Sequence, residues 1–99
     1  MNNPPLTDLL GQIIAKEPKK VYDKANPFYG QTYYKLKVLT EDEKHTFFVY
    51  PNLVNQTIWK AITSSQYVDK RYLLHGEKRK KGFILYNWKE LSSREVKDE

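Results

Sequence analysis

Thr46–Gln66 reads TFFVYPNLVNQTIWKAITSSQ, and its period changes partway along. Thr46 to Tyr50 is β-branched and aromatic, the composition of a strand, and Pro51-Asn52 closes it. Successive strand side chains point to opposite faces, so either Phe47 and Val49 face the core or Phe48 and Tyr50 do. Asn55 then offers a helix cap, and Ile58, Trp59 and Ile62 fall on one face at helical spacing. The spacing predicts a helix over Gln56–Gln66. A strand that passes into a helix, with more strands on either side, limits the choice of folds.

Working outward, Tyr33–Leu39 (YYKLKVL) alternates with period 2, placing Tyr34, Leu36 and Val38 on one face and Tyr33, Lys35 and Lys37 on the other. Thr40–Lys44 is a polar connection. Leu10–Tyr22 is a looser strand in which Pro18 lacks a donor N–H, so the chain must bend, bulge or lie at an edge there. Asp23–Gln31, with Asn26-Pro27 and Gly30, is a loop. Downstream, Arg71–His75 and Phe83–Trp88 read as strands joined by a basic turn over Gly76–Gly82. Residues 1–9 read as a flexible lead, 10–91 as one domain and 92–99 as a flexible tail. Three strands, a helix and two strands make an all-β domain with one helix. That is the order of a five-stranded OB-fold, a Greek-key barrel with its helix between strands 3 and 4. An SH3-like barrel also has five strands but no full helix at this place.

Ninety-nine residues suffice for one core and not for two. Lys and Arg number 17 against 12 Asp and Glu, a formal net charge of +5, and 14% of residues are aromatic, including 8 Tyr. Cations meet phosphates and rings stack on bases, so this is the composition of a nucleic-acid binder. A basic domain charged only for solubility, with strand aromatics used for packing, would share it. The absence of Cys excludes disulfides and thiolate chemistry. No apolar run approaches the roughly 20 residues of a membrane span, and the N-terminus lacks the pattern of a signal peptide, so no membrane association is expected.

The distribution of charge narrows the candidates. Lys78, Arg79, Lys80 and Lys81 are consecutive, and like charges on one turn repel unless anions lie nearby. In OB-folds the loop between strands 4 and 5 flanks the binding face. Lys16, Lys19 and Lys20, with Lys70 and Arg71, extend the expected groove. Tyr33, Lys35 and Lys37 suit a strand that holds nucleic acid, and equally an ordinary solvated face. Phe28 and Tyr29, in the loop between strands 1 and 2, either clamp a base or fold back over the barrel mouth. Trp59, Ile58, Ile62 and Trp88 read as core. His45 and His75 lack ligand-like neighbours, so no metal is expected. Glu41, Asp42 and Glu43 have no partner group for acid–base work. No phosphate-cradling glycine loop or nucleophile motif is present, and neither an enzyme activity nor a cofactor is expected.

Several segments are similar to single-stranded DNA-binding proteins (SSB). Leu10-Gly11-Gln12-Ile13-Ile14 resembles their first strand, Tyr34-Lys35-Leu36-Lys37-Val38 their second, and Phe47-Phe48-Val49-Tyr50 their apolar run ending in an aromatic. Arg71-Tyr72-Leu73-Leu74-His75-Gly76 resembles the strand before their last hairpin. Pro51 stands where the family usually has glycine, and the long acidic-tipped tail of bacterial members is absent. The compact form looks closer to a primosomal protein of the same fold or to small plastid-encoded SSB-like proteins. The resemblance implies an OB-fold, binding of single-stranded nucleic acid with little sequence preference, and a role in replication or repair. It implies stacking at Tyr50, with Phe48 on the same face, and a homo-oligomer, dimer or tetramer. Fourteen Lys against three Arg, with many Asn, Ile and Tyr, suggest an AT-rich genome and hence bacterial cytoplasm or plastid stroma. The alternative from another class is a protein-interaction OB module serving as an assembly subunit.

Overall fold

The structure is a computed structural model that describes residues 6–41 and 43–91. Residues 1–5 of the expected lead over 1–9, the tail over 92–99 and Asp42 lie outside the described residues. The chain is mostly β with one helix among these residues: β1 (Leu6–Lys20), β2 (Thr32–Leu39), β3 (Lys44–Val49), α1 (Gln56–Thr63), β4 (Arg71–Arg79) and β5 (Gly82–Leu91). The five strands form one closed sheet in the order β1-β2-β3-β5-β4, with β4 paired back onto β1. No described helix is long and apolar enough to cross a membrane.

β1 starts at Leu6, ahead of the predicted Leu10, because its first half finds a partner in β4. Leu6–Gly11 pairs with β4, and Gln12–Lys20 pairs with β2, so one strand serves two parts of the ring. A register shift between Ile13 and Ala15 marks a bulge at Ile14. The extra residue breaks the alternation: Ile13 is buried, Ile14 and Ala15 are exposed, and Lys16 takes the inward side. Pro18 lies in the half of β1 that pairs with β2 alone, so its missing N–H costs no ladder bond on the open edge.

The core runs from Ile13, Leu36, Val38, Phe47 and Val49 across to Tyr72, Leu74, Phe83 and Leu85. Phe47 stacks on Phe83 at 4.9 Å, and Tyr72 stacks on Trp88 at 4.0 Å. Ile58 and Ile62 of α1 join the same core. The Asn55 side chain accepts a hydrogen bond from the Ile58 N–H at 2.8 Å, satisfying one of the donors that a helix start leaves open. The helix ends at Thr63, before the predicted Gln66, because Ser65 adopts a left-handed conformation with φ of 60°.

β4 departs most from expectation. Gly76–Gly82 is not a turn: β4 continues through Gly76 to Arg79, and Arg79 pairs with Gly82. A bulge between His75 and Gly76 absorbs the irregularity. A Cβ on Gly76 would lie 2.6 Å from the Ile84 carbonyl oxygen, so this glycine admits a close neighbouring strand and does not reverse the chain.

Candidate functional site

The outer face of β2 and β3 gathers aromatic side chains. Lys35 pairs with Phe48 and Lys37 with Thr46. Cross-strand partners share a face, so Tyr33, Lys35 and Lys37 stand with Phe48 and Tyr50, opposite the buried Leu36, Val38, Phe47 and Val49. Tyr33 and Tyr50 stack at 4.9 Å with planes 26° apart, and Phe48 tilts against Tyr33 at 6.4 Å. β3 pairs in parallel with β5 through Phe48 and Ile84, which carries the patch onto β5. Burial, and to a smaller extent neighbouring Tyr33, raises the Tyr50 phenol above its usual range, while Arg79 partly offsets this. At neutral pH the ring is therefore uncharged and keeps its O–H donor.

The hairpin between β4 and β5 overhangs this patch. Tyr33, Phe48, Tyr50 and Ile84 form an open cleft of about 460 Å³ with Arg79, Lys80 and Lys81. The turn consists of Lys80 and Lys81 alone. Gly82 makes it possible: its φ is +154°, and a Cβ there would sit 2.5 Å from the Thr46 carbonyl oxygen. The hairpin thus seats directly against β3 and brings its cations to the rings.

The run of cations does not act as a unit. Lys78 pairs with Phe83 and projects on the opposite side of the sheet from Arg79. Arg79 is already paired, its Nε 2.6 Å from a carboxylate oxygen of Glu77. Glu77 is buried although it lies on the outer face, and its other oxygen accepts a hydrogen bond from the Tyr86 hydroxyl. Arg79 Nε is off-line for a hydrogen bond, so its oxygen has a charge partner but no aligned donor. Lys80 and Lys81 are exposed cations on the cleft.

Lys16 belongs elsewhere. Its ammonium donates to the Ile62 and Thr63 carbonyls at 3.0 and 3.3 Å and to Ser65 Oγ at 3.0 Å. It also lies over the Tyr34 and Tyr67 rings, at 5.4 and 5.9 Å from their centroids. Its charge meets the negative end of α1 and its protons satisfy terminal carbonyls, which makes it a cap. Lys70 pairs with Glu90 at 3.6 Å, and Arg71 lines a different cleft, so neither joins the expected groove.

Lys19 pairs across the sheet with Tyr33 and so reaches the aromatic face, with Glu17 3.3 Å from its ammonium. Lys19 and Lys20 line a second cleft of about 440 Å³ with Pro18, Tyr22 and Thr32. Phe28 and Tyr29 are 46% and 53% exposed and outside the core. Their loop is braced by its own bonds, including Gly30 N–H to Val21 O and Phe28 N–H to Asn26 Oδ1. Ile84, Tyr86 and Glu77 were not among the expected site residues. Alternation of Phe83 and Leu85 inward would have placed Ile84 and Tyr86 outward, whereas Glu77 was hidden inside the supposed turn.

A larger cleft of about 560 Å³ contains Asp8, Glu41, Glu43, His45 and Arg71. Its charges are mixed and it has no aromatic floor, so volume alone does not make it the candidate. His45 lies 3.3 Å from Glu43, and His75 lies 2.8 Å from Asp8. No group of three metal-ligating side chains occurs among the described residues. In comparisons with known proteins, no family model, no curated protein and no solved structure matches the chain.

Proposed function

We propose that this chain is an OB-fold domain, a Greek-key barrel, that binds single-stranded nucleic acid, DNA in preference to RNA. The observation that carries this reading is the cleft in which Tyr33, Phe48 and Tyr50 lie beside the Lys80-Lys81 turn. Bases stack on exposed rings at about 1–3 kcal/mol each, and cations beside the rings release counterions from the backbone. Both contributions tolerate any sequence. Duplex DNA keeps its base faces stacked on one another and offers the rings nothing. The resemblance to single-stranded DNA-binding proteins supports the same reading and adds homo-oligomerisation and a role in replication or repair.

Titration of the protein with fluorescent oligo(dT), single-stranded RNA and duplex DNA over a range of salt tests it. Oligo(dT) should bind most tightly, with log K falling linearly against log salt. Absence of binding at low salt, or equal binding of the duplex, would refute it. The second reading, an assembly subunit, draws on the outward Leu10–Leu73 cross-strand pair, 41% and 37% exposed. Light scattering on the wild type and a Leu10→Lys variant addresses that surface independently of the oligo(dT) titration.

A further inference from the structure

Arg79 differs from the two lysines that follow it. Its Nε lies 2.6 Å from Glu77 as a charge partner without an aligned hydrogen bond, and 54% of the side chain remains open to solvent, against 7% for the Glu77 side chain. Nε lies toward the carboxylate and the Tyr86 hydroxyl is also close to the guanidinium, while the exposed part of the fork lines the cleft beside Tyr50. Arg79 keeps its charge, but together with the Glu77 carboxylate it forms a nearly neutral pair, so less counterion release is gained there than at an unpaired cation. Its N–H donors keep their planar geometry regardless of that neutralisation. Neutral acceptors on a base edge suit such a fork better than a phosphate does.

Resting on the single-strand reading above, we propose that Arg79, positioned by Glu77, reads the edge of one base stacked in the Tyr33–Tyr50 cleft and favours guanine over adenine and thymine. Guanine offers O6 and N7 as neighbouring acceptors to a two-pronged donor. Cytosine offers O2 and N3 when unpaired, whereas adenine and thymine present no adjacent acceptor pair on any edge. Lys80 and Lys81 bind the backbone without regard to sequence, and Arg79 adds a preference at one position. Glu77 is a positioning residue in this scheme. It costs the cleft one positive charge and fixes one donor pair in place.

The experiment compares three short thymine oligonucleotides: one unmodified, one with a single central guanine, one with a single central adenine. Adenine controls for the stronger stacking of a purine. Wild type should bind the guanine oligonucleotide about tenfold more tightly than the adenine one. Arg79→Lys keeps the charge and the Glu77 partner but loses the fork, and should erase that margin, read as the ratio of guanine to adenine affinity on one preparation so that any general change in oligo(dT) binding cancels. Glu77→Gln frees the Arg79 charge and should steepen the oligo(dT) salt slope by about 0.7, the value of one further phosphate neutralised. Equal guanine and adenine affinities in the wild type, or a margin that survives Arg79→Lys, would overturn the proposal while oligo(dT) binding left the single-strand reading intact. If no oligonucleotide bound, both would fall.

Discussion

Phe47 and Phe48 are neighbours in sequence and occupy opposite sides of the sheet. Phe47 is 1% exposed and stacks on Phe83, within a core that closes over both rings. Phe48 is half-buried on the outer side, tilted against Tyr33 and next to the Tyr33–Tyr50 stack. The same residue type thus serves two surfaces that differ in what lies beyond the ring. Inside, another part of the chain covers it; outside, a cleft lined with lysines does. The cations divide in the same way. Lys16 is committed to the end of α1, whereas Lys80 and Lys81 have solvent around them and rings beside them. Neither aromatic content nor net charge distinguishes these roles; the partners of each group do.

Substitutions at the two faces should therefore separate stability from binding. The largest effect is expected at Phe47→Ala, which empties a buried ring site and should cost about 3–5 kcal/mol of folding stability in urea titration. Lys16→Met should come next. It keeps the aliphatic stem but strips the cap from the α1 carbonyls, and should lower stability by about 2 kcal/mol while leaving the salt slope of oligo(dT) binding unchanged. A flatter slope in that variant would place Lys16 on the nucleic acid after all. Replacing Lys80 and Lys81 together by Gln should leave melting nearly unchanged and flatten the slope by about 0.7 for each phosphate no longer neutralised. Lys78→Gln should have the smallest effect, with neither slope nor melting temperature moved appreciably. A slope change equal to that of Lys80→Gln would mean that all the hairpin cations share one ligand.

The regular parts of the fold were legible in the sequence because they depend on local pattern. The alternation in Tyr33–Leu39, the split of Thr46–Tyr50 into two faces, and Asn55 before Ile58 and Ile62 all rest on residues within a turn or two of one another. Which face of Thr46–Tyr50 is buried did not follow from that pattern, and only the resemblance pointed Tyr50 outward. The features that were not legible depend on neighbours distant in sequence. Gly76 looked like a turn residue, and only the Ile84 carbonyl lying against it explains why it is a strand residue. Nothing local announces the bulge at Ile14, yet that single extra residue turns Lys16 from the outer face to the helix end. The four consecutive cations suggested one electrostatic unit. Strand pairing up to Arg79 and Gly82 divides them between two faces, and the buried Glu77 takes one of them. Of the expected binding residues, Tyr33, Phe48, Tyr50, Arg79, Lys80 and Lys81 come together in one cleft.

The central claim is that the outer rings hold a ligand and the inner rings hold the fold. Tyr50→Ala tests it most directly, with melting temperature and oligo(dT) affinity measured on the same preparation. Stacking is worth about 1–3 kcal/mol per base, so affinity should fall roughly tenfold to a hundredfold. Because every phosphate-binding cation is still in place, the salt slope should stay as it was. The melting temperature should drop far less than in Phe47→Ala, since Tyr50 is only half-buried. A Tyr50→Ala protein that melts like Phe47→Ala, and whose folded fraction binds oligo(dT) as tightly as the wild type, would contradict the claim and return the ring to the core.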